Sequence, residues 1–208
     1  MRLQVVKLNN IYSHIVSVTS GVPPGSVLGP TLFLLFINDI SNIFKELDVK
    51  LKLFADDIKL YSSYDVRGSQ SDLITAVNRL YEWSCNWQLQ IATEKCFVCT
   101  IANRSQNLTR RVYGINNLEF AYVNSIRDLG VTIDSHLKFD QHIDLIVHKA
   151  MSRAYLILKA FNSRDKSLMV KAYCTYVRPM LEYCSPVWSP HTICKINRIE
   201  KVQRFFTK

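Results

Sequence analysis

The chain has 208 residues, 48% of them hydrophobic and 21% charged, a globular composition that excludes wholesale disorder and allows one domain or two small ones. The net charge is +9, and the excess sits in the second half: residues 1–100 hold nine Lys/Arg and nine Asp/Glu, residues 101–208 seventeen and eight. Two readings fit that excess, a polyanionic partner such as nucleic acid or an ordinary basic domain.

Residues 2–18 alternate loosely around Asn9-Asn10, which predicts a hairpin of two strands. Gly21 to Gly25 form a compact loop with Pro23 and Pro24 inside it. Ser26 is placed to cap a helix over residues 28–44, with Pro30 tolerated in its first turn. That helix is apolar nearly all round and is expected to be buried. Residues 69–87 predict an amphipathic helix with Leu73, Ala76, Val77, Leu80, Ser84 and Trp87 on one face. Strands are expected at 89–91 and 97–101, then a basic connection over 104–111. Short strands follow near Tyr113, near Phe120 and at 129–133, with Asn116-Asn117 as a turn. Residues 140–161 predict a helix whose core stripe runs from Ile143 to Phe161. A further helix starts at Asp165 as its cap and ends or kinks at Pro179. Pro186 and Pro190 bracket a loop, and the last helix covers residues 193–206.

No secretory leader is evident, and the densest apolar run, residues 32–37, is too short to span a bilayer. A soluble, intracellular protein with six reduced cysteines is the expectation. Cys96 and Cys99 stand three apart in a strand-like run, hence on opposite faces, so buried thiols are expected there rather than zinc ligands.

The chemical signal lies in residues 50–61. Leu51, Leu53 and Ala55 alternate with Lys50, Lys52 and Phe54; after Asp56-Asp57, Ile58 and Leu60 alternate with Lys59 and Tyr61. This predicts a hairpin with two carboxylates at its tip. A divalent cation would relieve their repulsion, and hard oxygen donors suit Mg²⁺; an Asp-Asp pair serving only its turn is the other reading.

Five blocks then resemble, in order, the reverse transcriptase of non-LTR retrotransposons of the jockey and CR1 kind. They are Thr19 to Pro30 with Leu32 to Ile40; Phe54-Ala-Asp-Asp57; Trp83, Trp87-Gln-Leu89 and Lys95-Cys96; Arg127 to Asp134 with Leu137-Lys-Phe139, His142-Ile143 and Lys149-Ala150; and Tyr176 to Tyr183 with Ser185 to Ser189 and Ile199 to Arg204. The resemblance implies an α+β right-hand polymerase: a palm over residues 1–135 lacking most of the fingers, and a helical thumb with its extension over 136–208. It implies copying of RNA into DNA from an RNA template, a DNA primer and dNTPs, with two Mg²⁺ ions, in the nucleus and without a membrane.

By the same resemblance Asp56 and Asp57 are catalytic carboxylates and metal ligands, Asp56 the more direct. Lys95 falls near the incoming triphosphate, where it could protonate pyrophosphate, although an exposed strand-end lysine is an equal reading. Pro24, Gly25, Phe54 and Ala55 line the nucleotide, and Leu129-Gly130-Val131 form a strand gripping the primer end. Along the last helix Lys195, Arg198, Lys201 and Arg204 recur every three residues, on a face expected to differ from that of Ile193, Ile196, Ile199 and Val202. That stripe fits either a phosphate backbone or a solvated surface.

Three departures stand out. Residues 1–38 contain no Asp or Glu, so the family's earlier aspartate has no counterpart there, and Asp39 is no substitute. Pro24 stands where the family usually has glutamine, and Ala92 where it usually has asparagine. An inactive nucleic-acid-binding remnant and an unselected relic are therefore kept beside the enzyme.

Overall fold

The computed structural model describes residues 2–22, 25–63, 71–102, 111–163 and 165–208. Pro24, the start of the helix expected at 69 and the basic connection at 104–110 lie outside the described residues. The chain is a mixture of helices and short strands that divides into two compact units, residues 1–91 and 92–208.

The first unit opens with the expected hairpin, in two ladders. Strand β1 (Arg2–Gln4) pairs with β4 (Val16–Val18), and β2 (Lys7–Leu8) with β3 (Ile11–Tyr12), around the Asn9-Asn10 turn. Asn9 takes a positive φ, which asparagine tolerates. The helix expected over 28–44 is instead two pieces: α1 (Gly29–Phe36), with Pro30 in its first turn, then a 3-10 segment (Asn38–Phe44). Ser26 Oγ accepts the Gly29 N–H at 3.1 Å, although Leu28 is the residue at the cap position.

Nor is this stretch buried all round. Ile37, Ile40 and Phe44 are buried, whereas Leu34 and Leu35 are 54% and 69% exposed. The buried side packs on Ala76, Leu80 and Trp83 of α2 (Ser71–Asn86) and on apolar residues of the strands that follow this segment, Leu51, Ile58 and Leu60 among them. On α2 it is therefore Trp83, and not the expected Trp87, that faces inward. Trp87 is half-exposed and meets the edge of Phe36 at 4.9 Å between ring centroids.

Residues 89–91, at the end of the first unit, are not a strand at all, and in the second unit β7 (Phe97–Val98) is shorter than expected. Gln88 turns left-handed after α2, and the Leu89 N–H bonds back to Ser84 O, which ends the helix where a strand was expected. Strands β8 (Gly114–Ile115) and β9 (Leu118–Glu119) pair around Asn116-Asn117, both at positive φ as a two-residue primed turn requires. Strand β10 (Ala121–Tyr122) pairs in parallel with β7.

Next come β11 (Ser125–Asp128) and β12 (Val131–Asp134), antiparallel neighbours joined by Leu129-Gly130. A run of helices completes the described part of the unit. Helix α3 (Asp140–Ala160) carries the expected core stripe, with Ile143, Ile146, Ala150, Ala154 and Ile157 buried. Helix α4 (Lys166–Tyr176) is capped by Asp165, whose carboxylate accepts the Leu168 N–H at 2.8 Å. At Pro179 the chain kinks into α5 (Arg178–Glu182). The segment expected as a loop between Pro186 and Pro190 contains a short helix, α6 (Ser185–Trp188), because Pro186 fits a first turn. Helix α7 (Ile193–Phe206) ends the fold and buries Val202 and Phe206 with α3, Trp188 and Leu181 in one core.

Candidate active site

The Asp-Asp hairpin forms as the alternation dictates. Strands β5 (Lys50–Phe54) and β6 (Asp57–Tyr61) pair with Leu51 opposite Leu60 and Leu53 opposite Ile58. Leu51, Ile58 and Leu60 pack onto the Ile40, Phe44 and Trp83 cluster, which fixes the register and leaves the far end of the hairpin free. Ala55 and Asp56 are the two turn residues, and Asp57, opposite Phe54, begins β6. Ala55 takes φ 50°, a left-handed conformation that costs an alanine strain and that glycine would adopt freely. Phe54, Ala55, Asp56 and Asp57 are all exposed.

The donor set accounts for one side of a cation. Two adjacent carboxylates are hard oxygen donors of the kind Mg²⁺ takes, but its octahedral shell needs more. Among the described residues no group of three or more His, Cys, Asp or Glu could hold a metal. Asp39 is engaged elsewhere: its carboxylate accepts the Trp83 indole N–H at 3.3 Å. A groove of about 560 Å³ in this unit is lined by residues including Asn42, Glu46, Arg79 and Trp83 and by none of the predicted site residues.

The remaining sequence-predicted residues fall as follows. Gly25 has φ 77°. Lys95, in the second unit, ends a 3-10 turn (Thr93–Lys95) and is exposed. Leu129 and Gly130, expected in a strand, are instead the turn of the β11–β12 hairpin, both at positive φ, and only Val131 belongs to a strand. The Tyr183 hydroxyl donates to Leu129 O at 2.9 Å.

On α7 the basic row does not keep to one face. Residues three apart on a helix of 3.6 per turn drift by about 60° at each step, so four of them sweep half the circumference. Lys195 is consequently only 20% exposed; it pairs with Asp140 at 2.7 Å and donates to Lys138 O. Arg198 pairs with Asp144, Arg204 donates to Asn197 O on its own helix, and Lys201 is exposed. The apolar row drifts likewise: Val202 is buried and Ile193 is exposed.

Two residues that sequence reading gave no role stand out in the same unit. Asp134 closes the loop into α3, its carboxylate accepting the N–H groups of His136, Lys138 and Phe139 at 3.0, 3.1 and 2.6 Å. Burial works to raise its pKa, but those donors prevail and hold it below the ordinary value. His142 is almost fully buried: Nδ1 accepts the Thr132 N–H at 3.2 Å, Nε2 has no hydrogen-bond partner among the described residues, and desolvation lowers its pKa. The offset of eight from Asp134 to His142 is visible in the sequence, but the contacts of either residue are not.

Cys96 and Cys99 are half-buried thiols, raised in pKa by burial first and then by Glu94 and Asp134 respectively.

The family model for reverse transcriptase (RNA-dependent DNA polymerase) matches residues 3–133, from the first hairpin into β12. The chain belongs to the reverse transcriptase family. Its relatives are those of non-LTR retrotransposons. It is 28% identical over 208 residues to the RNA-directed DNA polymerase from mobile element jockey of Drosophila melanogaster, covering 95% of this chain and 22% of that protein. The probable RNA-directed DNA polymerase from transposon X-element of the same species is 27% identical, with 95% and 22% covered. A Pol polyprotein from type-1 retrotransposable element R1 2 of Nasonia vitripennis is 24% identical over 180 residues, with 81% and 43% covered. The chain thus spans about a fifth of the length of its jockey relatives. No solved structure matches it significantly. Among the described residues no helix of this reverse transcriptase domain is long and apolar enough to cross a membrane.

Proposed function

We propose that this chain is the palm-and-thumb part of an RNA-directed DNA polymerase, with a truncated palm over residues 1–135 and a helical thumb with its extension over 136–208. Its partners are an RNA template, a DNA primer and dNTPs, and its place of work is the nucleus. The observation that carries this reading is Asp56-Asp57 at the exposed end of a hairpin whose underside is packed, in a chain of this family. Asp56 and Asp57 would hold Mg²⁺; when bound, the two ions sharpen the primer 3′-hydroxyl as a nucleophile and offset charge on the phosphate. Phe54 and Ala55, with the loop of Pro24 and Gly25, border the incoming nucleotide. Lys95 supplies a proton toward the leaving pyrophosphate. The hairpin tip at Leu129, Gly130 and Val131 steadies the primer end.

The carboxylate pair does not complete this site by itself. The 208-residue chain is therefore expected to show no template-directed dNTP incorporation with Mg²⁺. The same chain joined to the upstream polymerase part of a jockey relative is expected to extend a primer on RNA, and Asp56→Asn should abolish that extension. Extension by the chain alone, sensitive to Asp56→Asn, would overturn the first expectation; extension by the joined Asp56→Asn protein would overturn the site.

A second reading is favoured by the charge placement. The whole net excess of +9 lies in residues 101–208, which suits a domain that grips nucleic acid without catalysis.

A further inference from the structure

We propose that Tyr183 is a positioning residue, fixing the Leu129-Gly130 tip against the helical part so that the tip can hold a primer terminus. The inference rests on the primer-end role given above to that tip.

The tip needs an anchor. Both turn residues sit at positive φ, 44° for Leu129 and 89° for Gly130, and the leucine is strained there. Leu129 is more than a third exposed, so packing alone does not hold it. The anchor comes from 54 residues away: the Tyr183 hydroxyl donates to Leu129 O at 2.9 Å. The Tyr183 ring lies over Gly130, where an added Cβ would meet its Cε1 at 3.2 Å.

Tyr183 is itself held. The Trp188 indole N–H donates to Tyr183 O at 2.8 Å, and Trp188 is buried. The Trp188 ring meets His142 edge-on at 5.2 Å, and His142 Nδ1 accepts the N–H of Thr132, three residues beyond Leu129. The contacts close a circuit: Leu129, Tyr183, Trp188, His142, Thr132 and back along β12. The turn at Leu129 and the β12 arm at Thr132 are thus tied to one row of three aromatic residues, Tyr183, Trp188 and His142. The Tyr183 side chain is half-exposed, so the hydroxyl adds little to the core; its consequence is where the tip sits.

The test uses the 208-residue chain and two labelled RNA–DNA hybrids, one with a recessed primer 3′-end and one blunt, followed by fluorescence anisotropy. Wild type should prefer the recessed end. Tyr183→Phe keeps the ring over Gly130 and loses only the hydroxyl; it should cut that preference about fivefold, the effect of one net hydrogen bond, with blunt-hybrid affinity unchanged. Gly130→Ala, which displaces the ring and strains the turn, should also lower the preference for the recessed end. A wild-type preference retained in full by Tyr183→Phe overturns the positioning role while leaving the primer-end reading intact. No preference in wild type overturns the primer-end reading and the proposal with it. Equal loss on both hybrids means Tyr183 merely supports the fold, and also overturns the proposal.

Discussion

At the residue scale, Asp134 and His142 show how polar groups set the join between β12 and α3. Asp134 gathers three backbone donors of a tight loop in which Leu137 and Phe139 both turn left-handed. Asp134→Asn keeps the shape but replaces one acceptor oxygen with a donor group. It should cost about 1–3 kcal/mol in urea unfolding at pH 7. Because the folded carboxyl lies below its ordinary pKa, its contribution is full above about pH 4 and is lost as pH falls through the folded value. His142 acts in a different window. Its pKa is depressed in the fold, so the unfolded chain takes up the proton first, and stability should drop as pH falls below about 6.5. The urea midpoint should be lower at pH 5.5 than at 7.5, and His142→Asn, which retains an acceptor for Thr132, should flatten most of that slope. A slope equal in wild type and His142→Asn would assign the pH dependence to other groups. Across this interval Asp134 contributes nothing to it, being ionised in both states.

At the element scale, α7 makes the clearest prediction. Lys195 and Arg198 are committed to Asp140 and Asp144 on α3, so Lys201 and Arg204 are the cations most available to phosphates. If the helix tracks a nucleic-acid backbone, Lys201→Ala with Arg204→Ala should flatten the log K against log salt slope by about 1.4 to 1.8. Lys195→Ala should change the slope less and weaken docking of α7 on α3. An unchanged slope in the first double variant would leave α7 a solvated surface. The same helix shows what the sequence makes legible. Its bounds, the Asp165 cap, the α3 stripe and the Asp-Asp hairpin follow from periodicity and local hydrogen bonding, which are short-range. The facing of the basic row did not, because spacing of three approximates a helical face only over one or two turns. Residues 89–91 and the Leu129-Gly130 turn depart from the expected strands for another reason. Their apolar composition is compatible with a strand, and it is positive φ at Gln88, Leu129 and Gly130 that ends the helix or reverses the chain.

At the scale of the whole molecule, the unusual property is apolar surface in the first unit. Leu3, Leu8, Ile11 and Ile15 of the first hairpin are exposed, as are Leu28, Leu34 and Leu35 around α1. A monomeric surface seldom carries so much. The chain spans about a fifth of its jockey relatives, and these side chains gain partners if the rest of such a protein packs on this surface. The two faces of the 29–44 segment should then respond differently to substitution. Ile40 is fully buried, so Ile40→Ala should cost about 2–5 kcal/mol in this chain as in a longer one. Leu35→Gln, on the exposed side, should change the stability of the 208-residue chain by no more than about 0.5 kcal/mol. It should also reduce binding of a dye that reports exposed apolar surface. In the chain joined to a relative's upstream part, the same Leu35→Gln should become destabilising, because glutamine would replace a leucine in a buried contact. Parallel melts of the two proteins, each with and without the substitution, measure that difference directly. If Leu35→Gln is neutral in both, this face of α1 stays open to solvent in the longer protein too. The expected recovery of activity on joining would then have to come from the upstream carboxylate rather than from a completed palm core.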